Sequence, residues 1–290
     1  MTWPRVVSGD SGDDSHRHSQ CAGPEETKAC CAAAYGDDAV ALVLGESYHP
    51  GGSALTRRLA RTMGLAPGQR VADVAAGPGA TARLLAAEYG VAVDGVDLGE
   101  AGVHRANAAT AESGLSGQVR FHLGDAERMP LPDGEFDAVV CECAFCTFPD
   151  KAAAAAEFAR VLRPGGRIGI TDVTVAEAGL PEELNTLAGW VACIADARPL
   201  QEYSGILAEA GLWTVRTEPH DDALIRMIDE LEARLTVLRM AAGQPLATAG
   251  VDVDAVLRHT GLAKRAVAEG LIGYTLLVAA KPAAPPAASR

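Results

Sequence analysis

The chain has 290 residues, 48% of them hydrophobic, and sets 25 lysines and arginines against 38 aspartates and glutamates, a net charge of −13. That length and apolar share suit one large globular domain or two small ones and exclude a disordered chain. The acidic balance argues against a broad basic face for nucleic acid. The seven cysteines are an odd number in a chain too long for a disulfide scaffold, so they read as free thiols in a reducing compartment, metal-binding or catalytic.

Residues 1–23 are rich in Ser, Asp, Gly and His without periodic apolar positions and are expected to form a disordered tail, His16 and His18 included. Nothing in the chain is apolar for long enough to span a membrane, and the N-terminus lacks the apolar stretch of a signal peptide, so a cytoplasmic protein is expected. Residues 24–66 read as an N-terminal helical cap. Pro24 with Glu25 and Glu26 suits a helix start, since proline fits the first turn and acids suit the positive end of the dipole. That helix would carry Cys30 and Cys31. The loop Tyr48-His49-Pro50-Gly51-Gly52 and a second helix over Ser53–Met63 follow, with Leu55, Leu59 and Ala60 at helical spacing.

From residue 67 to 281 the rhythm changes. Strands are expected over Arg70–Ala75, Ala92–Val96, Val119–Leu123, Phe136–Cys143 and Arg167–Thr171, the last after the turn Arg163-Pro164-Gly165-Gly166. Helices are expected over Ala80–Tyr89, Ala101–Ser113 and Lys151–Leu162. Such alternation specifies a Rossmann-like α/β fold, a mainly parallel sheet with helices on both faces. Helical insertions are expected at about 176–211 and 220–270, including Leu200–Ala210, Asp222–Ala242 with Leu224, Ile228, Leu231, Leu235 and Leu238 on one face, and Asp254–Glu269. Strands over Trp213–Thr217 and Gly273–Ala280 complete the pattern, and residues 282–290 form a Pro/Ala tail.

The first strand runs into Ala75-Ala76-Gly77-Pro78-Gly79 and then directly into a helix. Glycines there let a ligand approach the backbone. About twenty residues on, Asp97, followed by Leu98, ends the second strand, where an acid can accept both hydroxyls of a ribose. Gly124-Asp125-Ala126 follows the third strand, where an acid can reach an adenine amino group. In an open parallel sheet these loops converge beyond the carboxyl ends of the strands. The glycine loop lacks the G-x-G-x-x-G spacing of a dinucleotide site.

These motifs resemble the class I S-adenosylmethionine-dependent methyltransferases. The likeness runs from Asp73-Val74-Ala75-Ala76-Gly77-Pro78-Gly79 through Asp97, Gly124–Pro130 and Phe136–Val140 to Val161–Arg167. It implies S-adenosyl-L-methionine as cofactor, an antiparallel last strand, and cofactor contacts from Asp73, Ala75, Gly77, Gly79, Asp97, Leu98, Gly124, Asp125, Ala126 and Glu142. Ala75 stands where the family usually has glycine, a change that costs little unless the backbone needs positive φ.

The remaining chemistry lies in the cysteines. Cys141-Glu142-Cys143-Ala144-Phe145-Cys146 ends the fourth strand. Cys141, inside it, reads as a small core residue, sharing a strand face with Cys143, while Cys143 and Cys146 are expected nearer the cleft. With Cys193 after the fifth strand and Cys30 or Cys31 near the N-terminus, the pattern resembles the arsenite methyltransferases. That resemblance implies trivalent arsenic held by the thiolates of Cys143, Cys193 and Cys30 or Cys31, soft ligands for a thiophilic centre, and a thiol reductant such as glutathione or thioredoxin. Many members carry a further cysteine before the first motif, which Cys31 or Cys21 could replace. The competing readings are a methyltransferase for an ordinary small molecule, with His49, Glu142 or His220 as base, and a thiol-based metalloid sensor without turnover.

Overall fold

The computed structural model describes Lys28 and residues 48–180, 194, 196–241 and 253–283. The expected tail 1–23, the helix start at Pro24 and four cysteines, Cys21, Cys30, Cys31 and Cys193, lie outside the described residues, as do the side chain of Leu238 and most of the Pro/Ala tail.

The elements run α1 (Gly52–Met63), β1 (Arg70–Val74), α2 (Ala80–Tyr89), β2 (Ala92–Asp97), α3 (Glu100–Glu112), β3 (Val119–Leu123), β4 (Phe136–Glu142), α4 (Lys151–Val161), β5 (Leu162–Val175), α5 (Leu200–Glu209), β6 (Trp213–Pro219), α6 (Asp221–Ala241), α7 (Val253–Ala268) and β7 (Ile272–Ala280). They form one seven-stranded sheet in the order β3-β2-β1-β4-β5-β7-β6. β1 to β5 are parallel, and β7 lies antiparallel to both β5 and β6. The expected Rossmann-like sheet with an antiparallel last strand is therefore present.

The central strands form because their residues suit burial on both faces. Val71, Ala72 and Val74 of β1 and Val139, Val140 and Cys141 of β4 are all essentially inaccessible. Burial, aided by nearby Asp172, Asp73 and Glu142, pushes the Cys141 thiol well up, so it stays protonated. On α1, Leu55, Leu59, Ala60 and Met63 form the buried stripe. Leu59 and Met63 lie directly on Gly169 of β5, where a side chain has no room. On α6, Ile228 and Leu235 are buried and Leu224 and Leu231 half-buried, as their spacing implies.

β5 is longer than the expected Arg167–Thr171 at both ends. Its first residue, Leu162, pairs with Phe136 before a register shift, so the Pro-Gly-Gly segment is an irregular strand start rather than a separate turn. Its last residues, Asp172 to Val175, pair with Thr275 to Ile272 of β7. Their partner lies about a hundred residues away, which no local pattern reveals.

Candidate functional site

β1 and β4 are neighbours, and each is followed by a non-glycine residue with left-handed backbone, Ala75 (φ 57°) and Cys143 (φ 54°). The exits are then drawn to opposite sides. The Ala76 N–H donates to the carbonyl of Val96 on β2 at 3.1 Å, and the Cys143 N–H donates to that of Thr171 on β5 at 2.7 Å. A crevice opens between them, at the point where strand order reverses. It holds about 190 Å³ of space, far more than the roughly 10–15 Å³ that one water needs.

Ala75 therefore does need positive φ, which is the condition under which alanine is costly there, and the residue is strained. The strand alternation expected of Cys141 and Cys143 also fails. The kink takes Cys143 out of β4 and makes it, half-buried, one of the cavity's lining residues, while Cys141 stays in the core.

Asp73, Asp97, Asp125, Glu127 and Glu142 give the wall its acidic groups. Asp73 of β1 is 2% exposed, and its Oδ2 has no hydrogen-bond partner. Burial, then the charges of Glu142 and Asp97, push its carboxyl well above the usual carboxylate range. Asp97 accepts the Gly77 N–H on Oδ2 and the Gly99 N–H on Oδ1, each at 2.8 Å. A carboxylate has about four lone-pair sites, so both oxygens keep one for a ligand. Glu142 accepts hydroxyls from Thr81 at 2.6 Å and Thr56 at 3.0 Å on Oε2, and Nε2 of His49 lies 3.4 Å from the same oxygen. Asp125 accepts its own turn's Glu127 N–H at 2.9 Å and the Lys28 ammonium at 2.8 Å, and Lys28 also reaches Glu127 at 2.5 Å.

Asp73, Ala75, Gly77 and Asp97 thus line one cavity, together with Leu98, Asp125 and Glu142. Gly79, Gly124 and Ala126 do not line it. Gly79 begins α2 with φ 75°, and a Cβ there would overlap the Phe121 ring; one on Gly124 would strike Pro130. Close packing accounts for both glycines. Ala126 packs half-buried on the core. Cys146, expected near the cleft, is fully buried in the turn Phe145–Thr147, its N–H held by Asp172 at 3.0 Å. Phe145 anchors that turn against the rings of Phe158 and Tyr203, 5.8 and 5.4 Å away. His49 lines the cavity, whereas His220 sits between β6 and α6, near Glu218.

Thr56, Thr81 and Lys28 were not foreseen from sequence. Of these only Thr81 had a local signal, its place in the first turn after the glycine loop. Among the described residues no group of three or more His, Cys, Asp or Glu is placed to hold a metal ion.

The family described as a methyltransferase domain matches residues 72–170. A 27-O-demethylrifamycin SV methyltransferase of Amycolatopsis mediterranei is 31% identical over 230 residues, 79% of this chain and 83% of that protein. The chain belongs to the class I S-adenosylmethionine-dependent methyltransferases. It is an enzyme of methyl transfer, and S-adenosyl-L-methionine is its cofactor. An arsenite methyltransferase of Halobacterium salinarum is 32% identical over 165 residues, but these span only 55% of this chain and 41% of that protein. The fold is that of a phosphoethanolamine N-methyltransferase 2 of Haemonchus contortus in complex with S-adenosyl-L-methionine. The TM-score is 0.72 at 21% identity, covering 87% of this chain and 57% of that one. No helix among the described residues is long and apolar enough to cross a membrane.

Proposed function

We propose that this methyltransferase acts on trivalent arsenic held by cysteine thiolates. The observation that carries the reading is the position of Cys143, set by a left-handed backbone in the wall that Asp73, Asp97 and Glu142 also line. The family's arsenite-methylating relative supports it.

The cavity fits the cofactor in this reading. When bound, S-adenosylmethionine supplies an electrophilic methyl on a sulfonium. The orphaned Asp73 oxygen, beside Glu142, lacks a donor that an ammonium group provides, which removes the cost of an unpaired buried carboxyl. The spare lone pairs of Asp97 accept ribose hydroxyls, Asp125 accepts an adenine amino group beside Lys28, and Leu98 packs on the ring. Ala75 and Gly77 form the floor.

On the acceptor side, the thiolates of Cys143, Cys193 and Cys30 or Cys31 hold arsenic as substrate and direct its lone pair along the cleft. Alignment does the work, and no proton acceptor is needed. A thiol reductant such as glutathione or thioredoxin maintains the thiols, which places the enzyme in a reducing compartment such as the cytoplasm.

One contact favours a second reading, methylation of a hydroxyl or amine of an ordinary small molecule. His49 Nε2 lies 3.4 Å from Glu142 inside the cavity, an imidazole and a carboxylate placed as a base and its orienting group. The test is incubation of the full chain with S-adenosylmethionine, glutathione and arsenite. Methylated arsenic that is lost in Cys143→Ser and in Cys193→Ser but kept in His49→Ala supports the thiolate reading. Arsenite binding without methylated product points to a sensor. If neither occurs while the cofactor still binds, the small-molecule reading stands.

A further inference from the structure

Cys143 occupies a backbone conformation that L-residues avoid, and such strain persists only where surroundings over-determine it. The surroundings here are identifiable. The Cys143 N–H donates to the Thr171 carbonyl at 2.7 Å. The same carbonyl accepts the Tyr274 hydroxyl at 3.2 Å, and that hydroxyl also lies 3.1 Å from Thr171 Oγ1. Tyr274 and Thr171 are both fully buried, and neither lines the cavity.

Tyr274 is itself fixed from two sides. Its N–H donates to Asp221 Oδ1 at 2.8 Å, and its carbonyl accepts the His220 N–H at 2.7 Å. Burial, then the neighbouring Cys143, Asp172 and Glu142, push its phenol far up, so it remains a neutral donor. A buried phenol needs a hydrogen-bond partner, and among the described residues the acceptors bonded by this one, the carbonyl and Oγ1 of Thr171, belong to the residue that holds Cys143.

We propose that Tyr274 is a positioning residue for Cys143: its hydroxyl fixes the Thr171 carbonyl, which fixes the Cys143 amide in the turn that delivers the thiol to the cleft. Its bearing on turnover rests on the thiolate reading above; its bearing on the thiol does not.

The test is Tyr274→Phe, which keeps the ring and deletes the hydroxyl. Two local readouts are measured on the full chain: hydrogen exchange at the Cys143 amide, and Cys143 alkylation by iodoacetamide, followed on its own peptide by mass spectrometry. Both should accelerate by about fivefold, the worth of one net hydrogen bond, while the S-adenosylmethionine dissociation constant stays unchanged. In the arsenic assay kcat should fall with KM for S-adenosylmethionine held.

Wild-type exchange and alkylation rates in Tyr274→Phe overturn the proposal. Should that variant not fold, Thr171→Val takes its place. It leaves the carbonyl as the hydroxyl's sole acceptor and must slow exchange at Cys143; an unchanged rate overturns the proposal equally. Because the readout is the thiol itself, a wild-type chain that methylates no arsenic counts against the substrate reading alone.

Discussion

Replacing Ala75 by glycine should stabilise the protein, although glycine is usually the worse choice within a fold. Ala75 sits at φ 57°, a conformation that costs an L-residue about 1–2 kcal/mol. Glycine removes that strain but gives the unfolded chain more freedom, a loss of about 0.4–1 kcal/mol. The half-buried methyl forfeits roughly another 0.4 kcal/mol, half of a fully buried methylene. The net expectation is a gain of about 0.5 kcal/mol.

The control is next door. Ala76 is 9% exposed and is not among the residues with positive φ. Ala76→Gly gains nothing from strain and loses both other contributions in full, about 1.5 kcal/mol. The two variants should therefore differ by about 2 kcal/mol, or roughly 3 °C in Tm for a chain of this size. Thermal and urea unfolding of both, without cofactor, read that difference. If Ala75→Gly is destabilised as much as Ala76→Gly, the strain argument is wrong.

Three further outcomes are expected. Hydrogen bonds from Arg58, then Arg216, hold the Glu218 carboxyl at about 2 instead of 4.5, so its contribution is present above pH 4.5 and is lost as pH falls toward 2. The stability gap between wild type and Glu218→Gln, measured by urea unfolding, should be constant above about pH 5 and close toward about pH 2; a gap that persists at the acid end refutes this. Gly95→Ala should cost about 1–3 kcal/mol, because its Cβ overlaps the ring of Phe121 on the paired strand; Phe121→Leu should recover much of that loss, and strictly additive effects would show that the ring is not the cause. Asp97→Asn puts an amide nitrogen where a carboxylate oxygen accepts a backbone N–H. It should weaken S-adenosylmethionine binding by about tenfold or more in calorimetry, the scale of a hydrogen bond to a charged group.

The parallel half of the sheet was legible because short strands alternate with helices across glycine loops, and its central strands β1 and β4 are buried almost throughout. Asp97 was legible for a similar reason, since one βαβ unit fixes how far the second strand's end lies from the first loop. The bonding around these residues was not. Lys28 meets Asp125 across 97 positions, and Thr56 meets Glu142 across 86. No periodicity encodes a pairing at that separation. Cys143 was misread for a different reason. Period-two alternation assumes that the strand continues, and a single left-handed residue ends both the strand and the pattern.

The two strained residues also differ in how they are held, and the difference bears on turnover. Ala75 leads into a loop anchored by the Ala76 bond to β2 and by the Gly77 N–H on Asp97. Asp97 faces the cavity, so one carboxylate both braces the loop and offers its spare lone pairs to a ligand. Binding there and the shape of the floor are coupled. Cys143 is braced from behind, by a carbonyl and a phenol that never meet the cavity. Its amide is committed to the scaffold while the residue itself lines the cleft. The wall at Asp97 therefore answers to whatever binds it, whereas the wall at Cys143 is set by the scaffold.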